Sequence, residues 1–151
     1  MTTELRIGPE AVWLGRTARD RAEAVDLCGR LLLRLGAVHP AYLPAMHERE
    51  RSVSTYIGEG VAIPHGTDAA RTLVERTALA FVQFPQGVDW GAGNRAVIGI
   101  GIAAHGDEHT GVLAALARVL SDPAKAERLR GAEDAATVVE LLAPVGAEPP
   151  P

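Results

Sequence analysis

Residues 95–104 read RAVIGIGIAA, a run that is almost entirely apolar and carries no charge after its first residue. A short apolar run of this kind predicts a strand buried on both faces of a sheet. A second strand is predicted over 77–84, where Pro85 and Gly87 are expected to end it. These two segments place the centre of the chain in a buried sheet.

Two short β-branched segments precede these strands, at 52–57 and 61–63. The tripeptide Gly58-Glu59-Gly60 separates them, and glycine is the residue that turns most readily require. The pattern therefore predicts two short strands or a hairpin.

Helical periodicity dominates the two ends of the chain. Helices are predicted over 17–35, 42–51, 107–120, 122–130 and 134–142, and apolar residues recur every three or four positions in the first and third of them. Pro44 leaves the start of the second helix open. The single cysteine, Cys28, falls on the apolar stripe of the first helix and is expected to be a buried thiol. Helices at both ends with buried strands between them indicate a layered α/β sandwich.

Length and composition limit the classes of protein to be considered. The 151 residues fit one domain, which we assign to residues 1–146, and the Pro-rich end at 147–151 is expected to be a disordered tail. The net charge of −4 and the absence of a basic stripe argue against nucleic-acid binding. No signal peptide and no apolar run of about 20 residues is found, so we expect a cytoplasmic chain that does not insert into a membrane.

The segment at 58–71, GEGVAIPHGTDAAR, carries the clearest candidate for chemistry. Pro64 keeps the residue before it extended, and Gly66 removes a side chain beside His65. This frame favours an imidazole that projects from the end of a strand.

Thr67 and Asp68 are suitable caps for a helical turn directly after this histidine. The free N–H groups at the start of such a turn stabilise anions. A neutral imidazole is nucleophilic, so His65 could carry a phosphoryl group close to these donors. The alternative is an ordinary loop histidine that follows a turn proline.

A second histidine, His109, ends the segment HGDEH at 105–109. If Asp107 caps the following helix, His109 lies in the first turn and faces the apolar stripe. It also follows the carboxyl end of the 95–104 strand, where open α/β sheets commonly bind ligands. The alternative is a hydrogen-bonded core histidine.

Two further motifs match known patterns without the context that those patterns need. His105 and His109 fit the H-x-x-E-H zinc pattern, but Gly106-Asp107 is the expected helix start and leaves His105 outside the helix. The stretch GIGIAA at 99–104 fits the dinucleotide pattern, but its glycines lie within the strand and do not open a helix. Neither a metal nor a cofactor is expected.

The charged stretch ERER at 48–51 closes the second predicted helix. It is either a solvated helix end or a source of an arginine that pairs with a phosphate. Helical geometry alone does not select Arg49 over Arg51.

The segments 42–67, 83–88 and 97–109 together resemble the enzyme IIA domains of the mannitol/fructose class of the sugar phosphotransferase system (PTS). The block STYIGEGVAIPHGT at 54–67 is long and specific, and Glu108-His109 adds an independent match. The STY before the glycine turn resembles the mannitol branch most. The resemblance implies a mixed, roughly five-stranded sheet flanked by helices on both faces.

The resemblance also implies a function. Such a phosphocarrier takes a phosphoryl group from the histidine phosphocarrier protein (HPr) and passes it to a cysteine of a IIB domain, here expected on a separate chain with IIC. It assigns the catalytic roles to His65 as the phosphorylated residue, His109 and Arg49, and places Thr55, Glu59, Gly66 and Thr67 at the site. The alternative is the nitrogen-regulatory branch, in which phosphorylation controls binding to other proteins.

Overall fold

The computed structural model describes Leu5 and residues 7–147. Five strands of this part of the chain form one mixed sheet in the order β1-β4-β5-β3-β2. The strands are β1 (Val12–Trp13), β2 (Tyr56–Gly58), β3 (Val61–Ala62), β4 (Ala78–Gly91) and β5 (Asn94–Ala103). The pairs β1–β4 and β3–β5 are parallel, whereas β4–β5 and β2–β3 are antiparallel.

Helices cover both faces of this sheet. They are α1 (Arg21–Arg34), α2 (Tyr42–Ser52), α3 (His109–Leu120), α4 (Pro123–Arg130) and α5 (Ala135–Ala147), with short 3-10 helices at Pro9–Ala11 and Asp68–Leu73. One buried apolar cluster joins the sheet to α1 and α2, and a second joins it to α3, α4 and α5. The fold class predicted from the sequence is therefore confirmed. None of the helices described is long and apolar enough to cross a membrane.

The central strand β5 divides its side chains between these two clusters. Ile98, Ile100 and Ile102 are fully buried on the side of α3 and α5. The glycines between them face α1: a Cβ on Gly99 would lie 2.9 Å from the Sγ of Cys28, and one on Gly101 would lie 3.1 Å from its Cβ. The two glycines therefore let α1 approach the sheet closely, which accounts for the dinucleotide-like pattern.

Cys28 is the buried thiol that the sequence predicts. Burial raises the pKa of this thiol to about 12, and the charge of Glu50 acts in the same direction. The thiol is therefore protonated at neutral pH and serves as a small apolar side chain.

The prediction that β4 ends near Pro85 is wrong, because the strand continues to Gly91. The register with β5 shifts between Gln83 and Val88, and Pro85 is exposed in this irregular stretch. A proline has no N–H to donate, but a bulge does not require one. The extension places Trp90 in the core, where it is 1% exposed.

Two further boundaries differ from the predictions. The first helix begins at Arg21 rather than at residue 17, because the Asp20 carboxylate accepts the N–H of Glu23 and caps the helix there. In the hairpin, the regular strand pairing begins only at Tyr56, not at residue 52.

The last helix is longer than predicted. It continues through Pro144, which is exposed, while Val145 beside it is buried in the core. This packing holds the helix together past the proline, as far as Ala147, the first residue of the predicted tail. Residues 148–151 lie outside the described residues.

Candidate functional site

His65 lies where the chain leaves the sheet after β3. The N–H of Ile102 donates to the carbonyl of Pro64 at 2.9 Å, and His65 itself faces Ile102 in a parallel bridge. The extended backbone at Pro64 therefore continues β3 along β5, and it fixes the backbone of His65 at the carboxyl end of β5.

The imidazole of His65 has a defined tautomer. Its Nδ1 lies 2.8 Å from the carbonyl oxygen of Ile63, which can only accept, so Nδ1 carries the proton. Burial lowers the pKa of His65, and the charges of His109 and Arg49 lower it further, against the Ile63 hydrogen bond and the Glu50 charge. The ring is therefore neutral at pH 7, with the nucleophilic lone pair on Nε2.

His109 stands beside this ring. The two ring centroids are 5.1 Å apart and the planes are inclined by 53°. His109 is the first residue of α3, and Asp107 lies in the preceding turn without capping the helix, contrary to the prediction. The helix start favours negative charge, so a phosphoryl group on His65 would meet a favourable field here.

Two arginines add positive charge around the histidine pair. Arg49, in the last turn of α2, donates a hydrogen bond to the carbonyl of Val53, and its charge lowers the pKa of both His65 and His109. Burial lowers the pKa of His109 most, and the charge of Arg71, in the 3-10 helix that follows His65, lowers it further, against the charge of Asp68. Sequence reasoning missed Arg71, although its place three residues after Asp68 is typical of a short ion-paired helix.

Arg51 has different surroundings. It is exposed and lines a pocket together with Arg21 and His47, between α1 and α2. The structure therefore separates the two arginines that the sequence left equivalent.

The buried carboxylate of Glu50 holds the segment next to the site by hydrogen bonds. Glu50 is 5% exposed and accepts three hydrogen bonds: from the Thr55 N–H at 2.9 Å, the Thr55 hydroxyl at 2.6 Å and the Trp90 Nε1–H at 3.0 Å. Thr55, which we expected at the site, therefore anchors the segment between α2 and β2. Glu50 and Trp90 were missed, although a buried indole N–H usually requires such an acceptor.

A scan of known families matches residues 7–144 to "Phosphoenolpyruvate-dependent sugar phosphotransferase system, EIIA 2". The chain belongs to this family. It is therefore a phosphotransferase component, and the resemblance that the sequence suggested is confirmed.

Curated relatives of this EIIA 2 domain are longer proteins. The chain is 42% identical over 136 residues to the PTS system mannitol-specific EIICBA component of Vibrio cholerae, a match covering 89% of the chain and 21% of that protein. It is 44% identical over 142 residues to a multiphosphoryl transfer protein of Rhodobacter capsulatus, a match covering 91% of the chain and 17% of that protein. The chain thus spans about a fifth of the length of these relatives.

A solved complex supports the same assignment. The complex of enzyme IIAMtl and phosphorylated enzyme IIBMtl from Escherichia coli matches the EIIA 2 domain with a TM-score of 0.87 and 39% identity. The match covers 92% of this chain and 98% of the solved chain.

The remaining predicted site residues of the EIIA 2 domain are not all brought to His65. Glu59 occupies the β2–β3 turn, at the opposite end of β3, where its carbonyl accepts from Arg130 at 3.0 Å. Thr67 precedes the predicted helical turn, which is a 3-10 helix, but its side chain makes no capping bond. The N–H of Gly66 donates to the Tyr42 hydroxyl, so it is not a free anion donor.

His105 lies outside the helix that the zinc pattern would require. It is exposed and precedes α3, so it does not share a helix face with His109. Within Leu5 and 7–147, no three or more histidine, cysteine or acidic side chains are grouped so as to hold a metal ion.

We expect Arg49→Ala to slow phosphoryl transfer by about 10- to 100-fold, because a hydrogen bond to a charged group contributes about 1.5–3 kcal/mol. Arg51→Ala is the matched control, because Arg51 is the same residue type in the same helical turn and lines the pocket between α1 and α2. Quench-flow rates of transfer to and from each variant measure the effect. Equal rates for the two variants would contradict the assignment of Arg49.

Proposed function

We propose that this EIIA 2 domain is the phosphocarrier IIA component of a mannitol phosphotransferase system. His65 accepts a phosphoryl group from phospho-HPr and passes it to a IIB domain on a separate chain that carries IIC, in the cytoplasm. The observation that carries the proposal is the His65 ring, whose Nδ1 is 2.8 Å from the Ile63 carbonyl and whose neighbour is a second histidine.

Acceptance follows from the tautomer. The Nε2 lone pair attacks phosphorus, the phosphorus–nitrogen bond of phospho-HPr breaks, and the electron pair returns to the imidazole of HPr. The phosphorylated His65 ring becomes cationic, and its Nδ1–H already points at the Ile63 carbonyl oxygen, which stabilises the positive charge. No metal or cofactor takes part in this scheme.

Positive charge and hydrogen-bond donors around His65 stabilise the phosphoryl group while it is being transferred. Negative charge is spread over the oxygens of the transferring phosphoryl group, and fixed donors stabilise it without reorganisation. His109 at the start of α3 and Arg49 at the end of α2 supply such donors from two sides.

In the onward step, His65 is the leaving group rather than the nucleophile. A thiolate of the IIB domain attacks phosphorus, the bond to Nε2 of His65 breaks, and His65 returns to its neutral form. The solved neighbour that contains phosphorylated IIB supports a IIB partner for this chain. The net charge of −4 suits association with a basic HPr-type surface, which would mainly raise the rate of encounter.

We expect phosphoenolpyruvate, enzyme I and HPr to place a phosphoryl group on the chain that is labile to acid and stable to base, as a phosphorus–nitrogen bond is. The adduct should then pass to a IIB cysteine when a mannitol IIB domain is added. Gel autoradiography after acid and base treatment measures both steps, and omission of HPr is the control.

The two proposed branches differ in the second step. A nitrogen-regulatory protein would be labelled on His65 without handing the group to a transport IIB domain, and this result would overturn the transport assignment. A base-labile adduct would overturn the phosphohistidine itself.

A further inference from the structure

Tyr42 connects the His65 loop to the central strand. It is the first residue of α2 and is 4% exposed. Its hydroxyl lies 2.9 Å from the carbonyl oxygen of Ile102 and 2.8 Å from the N–H of Gly66. The hydroxyl therefore donates to β5 and accepts from the residue directly after His65.

This hydroxyl takes the place of a strand-to-strand bond. In a regular parallel pair centred on His65 and Ile102, the Ile102 N–H donates to Pro64 and the Ile102 carbonyl accepts from Gly66. The bond from Ile102 to Pro64 is present at 2.9 Å. In place of the other bond, the Gly66 N–H donates to the Tyr42 hydroxyl, and this hydroxyl donates to the Ile102 carbonyl. Burial raises the pKa of Tyr42, so the hydroxyl keeps the proton that it donates.

The ring of Tyr42 also restricts Gly66. A Cβ on Gly66 would lie 2.6 Å from Cε1 of the ring, so only glycine fits beside Tyr42 without a shift of the ring or of the backbone. The Tyr42 side chain thus holds Gly66 through its hydroxyl and leaves no room for a side chain there.

We propose that Tyr42 is a positioning residue for phosphoryl acceptance. Its hydroxyl, inserted between Gly66 and Ile102, sets the distance of the His65–Gly66 peptide from β5 and thereby aims the imidazole. Without the hydroxyl, the Gly66 N–H either closes onto the Ile102 carbonyl or loses its partner, and both results displace the backbone that carries His65. A displacement of about 1 Å can cost roughly 10²-fold in rate.

The test compares Tyr42→Phe with Tyr56→Phe, the other tyrosine of the chain. Tyr56 also accepts a glycine N–H, that of Gly60 at 2.9 Å, but in the β2–β3 turn. The probe is phosphoramidate, which needs no protein partner: Nε2 attacks phosphorus, the phosphorus–nitrogen bond of the reagent breaks, and ammonia leaves. The rate of His65 labelling is followed by ³¹P NMR, and the tautomer of His65 by ¹⁵N NMR.

We expect Tyr42→Phe to slow labelling by about 10²-fold and to lower the population of the Nδ1–H tautomer, with Tyr56→Phe within about twofold of the original chain. A purely structural role would lower stability in denaturant titrations of both variants and leave the tautomer unchanged. Equal labelling rates and equal tautomers in the two variants would overturn the proposal.

A second variant keeps the test open if Tyr42→Phe does not fold. Gly66→Ala keeps the hydroxyl but forces the same peptide away from the ring, so it should slow labelling and shift the tautomer as well. Unchanged behaviour of Gly66→Ala would overturn the proposal. The expected effect on labelling rests on the proposed function, whereas the expected effect on the His65 tautomer does not. If no donor phosphorylates His65, the proposed function is refuted. The tautomer measured by ¹⁵N NMR then still decides the role of Tyr42.

Discussion

His65→Ala is expected to abolish phosphorylation completely. The alanine has no nitrogen to attack phosphorus, and His109 at the start of α3 lacks the bond to the Ile63 carbonyl that fixes the tautomer of His65. Folding should be kept, because His65 follows β3 in a segment whose backbone bonds to β5 do not involve its side chain. Acid-labile label per chain, with circular dichroism to check the fold, measures the result.

His105→Ala is the matched control, since His105 is an exposed histidine close to the site in sequence. It should be labelled like the unchanged chain. If His65→Ala still took up acid-labile phosphate while His109→Ala did not, the roles of acceptor and helper would be reversed.

His109→Ala is expected to leave labelling intact but to slow transfer by about 10²–10³-fold. A donor aimed at charge that develops in flight typically contributes this much, a range taken from acyl-transfer enzymes. The ring of His109 lies 5.1 Å from that of His65, centroid to centroid, so its removal opens one side of the phosphoryl group to water. Quench-flow kinetics of both half-reactions measure the loss, which should be largest in the onward step to IIB.

The same His105→Ala chain serves as the control for this experiment. Transfer rates of His109→Ala within about twofold of that control, in both directions, would show that the second histidine only fills space.

Most of the fold could be predicted because its signals are local. The apolar run of β5, the glycine turn between β2 and β3, and the periodicity of α3 are each visible within about a dozen residues. The continuation of β4 past Pro85 could not be, since it depends on a register shift against β5. The extension of α5 beyond residue 142 could not be predicted either, because tertiary packing holds the helix together past Pro144.

The site residues also differ in whether their signals are local in sequence. His65, His109 and Arg49 stand in short motifs, and the structure places their charges close enough to act on one another. Glu50 and Tyr42 were missed, because the bonds that tie them to the sheet, to Trp90 and to Ile102, reach 40 and 60 residues along the chain.

The resemblance places Glu59 at the site, whereas the structure puts it in the β2–β3 turn. A strand holds its two ends apart, and β3 lies between Glu59 and His65.

The contact between α1 and β5 constrains how this sequence can diverge. Cys28, Gly99 and Gly101 occupy one shared volume, in which an added Cβ would come within 2.9 or 3.1 Å of the cysteine side chain. A larger residue at position 99 is therefore compatible with the fold only if position 28 loses its sulfur, whereas one at position 101 would also meet the backbone oxygen of Cys28 at 3.1 Å, which no substitution at position 28 removes. Substitutions at positions 28 and 99 should accordingly covary among homologues, whereas glycine should persist at position 101, and a library that randomises positions 28 and 99 must do so jointly.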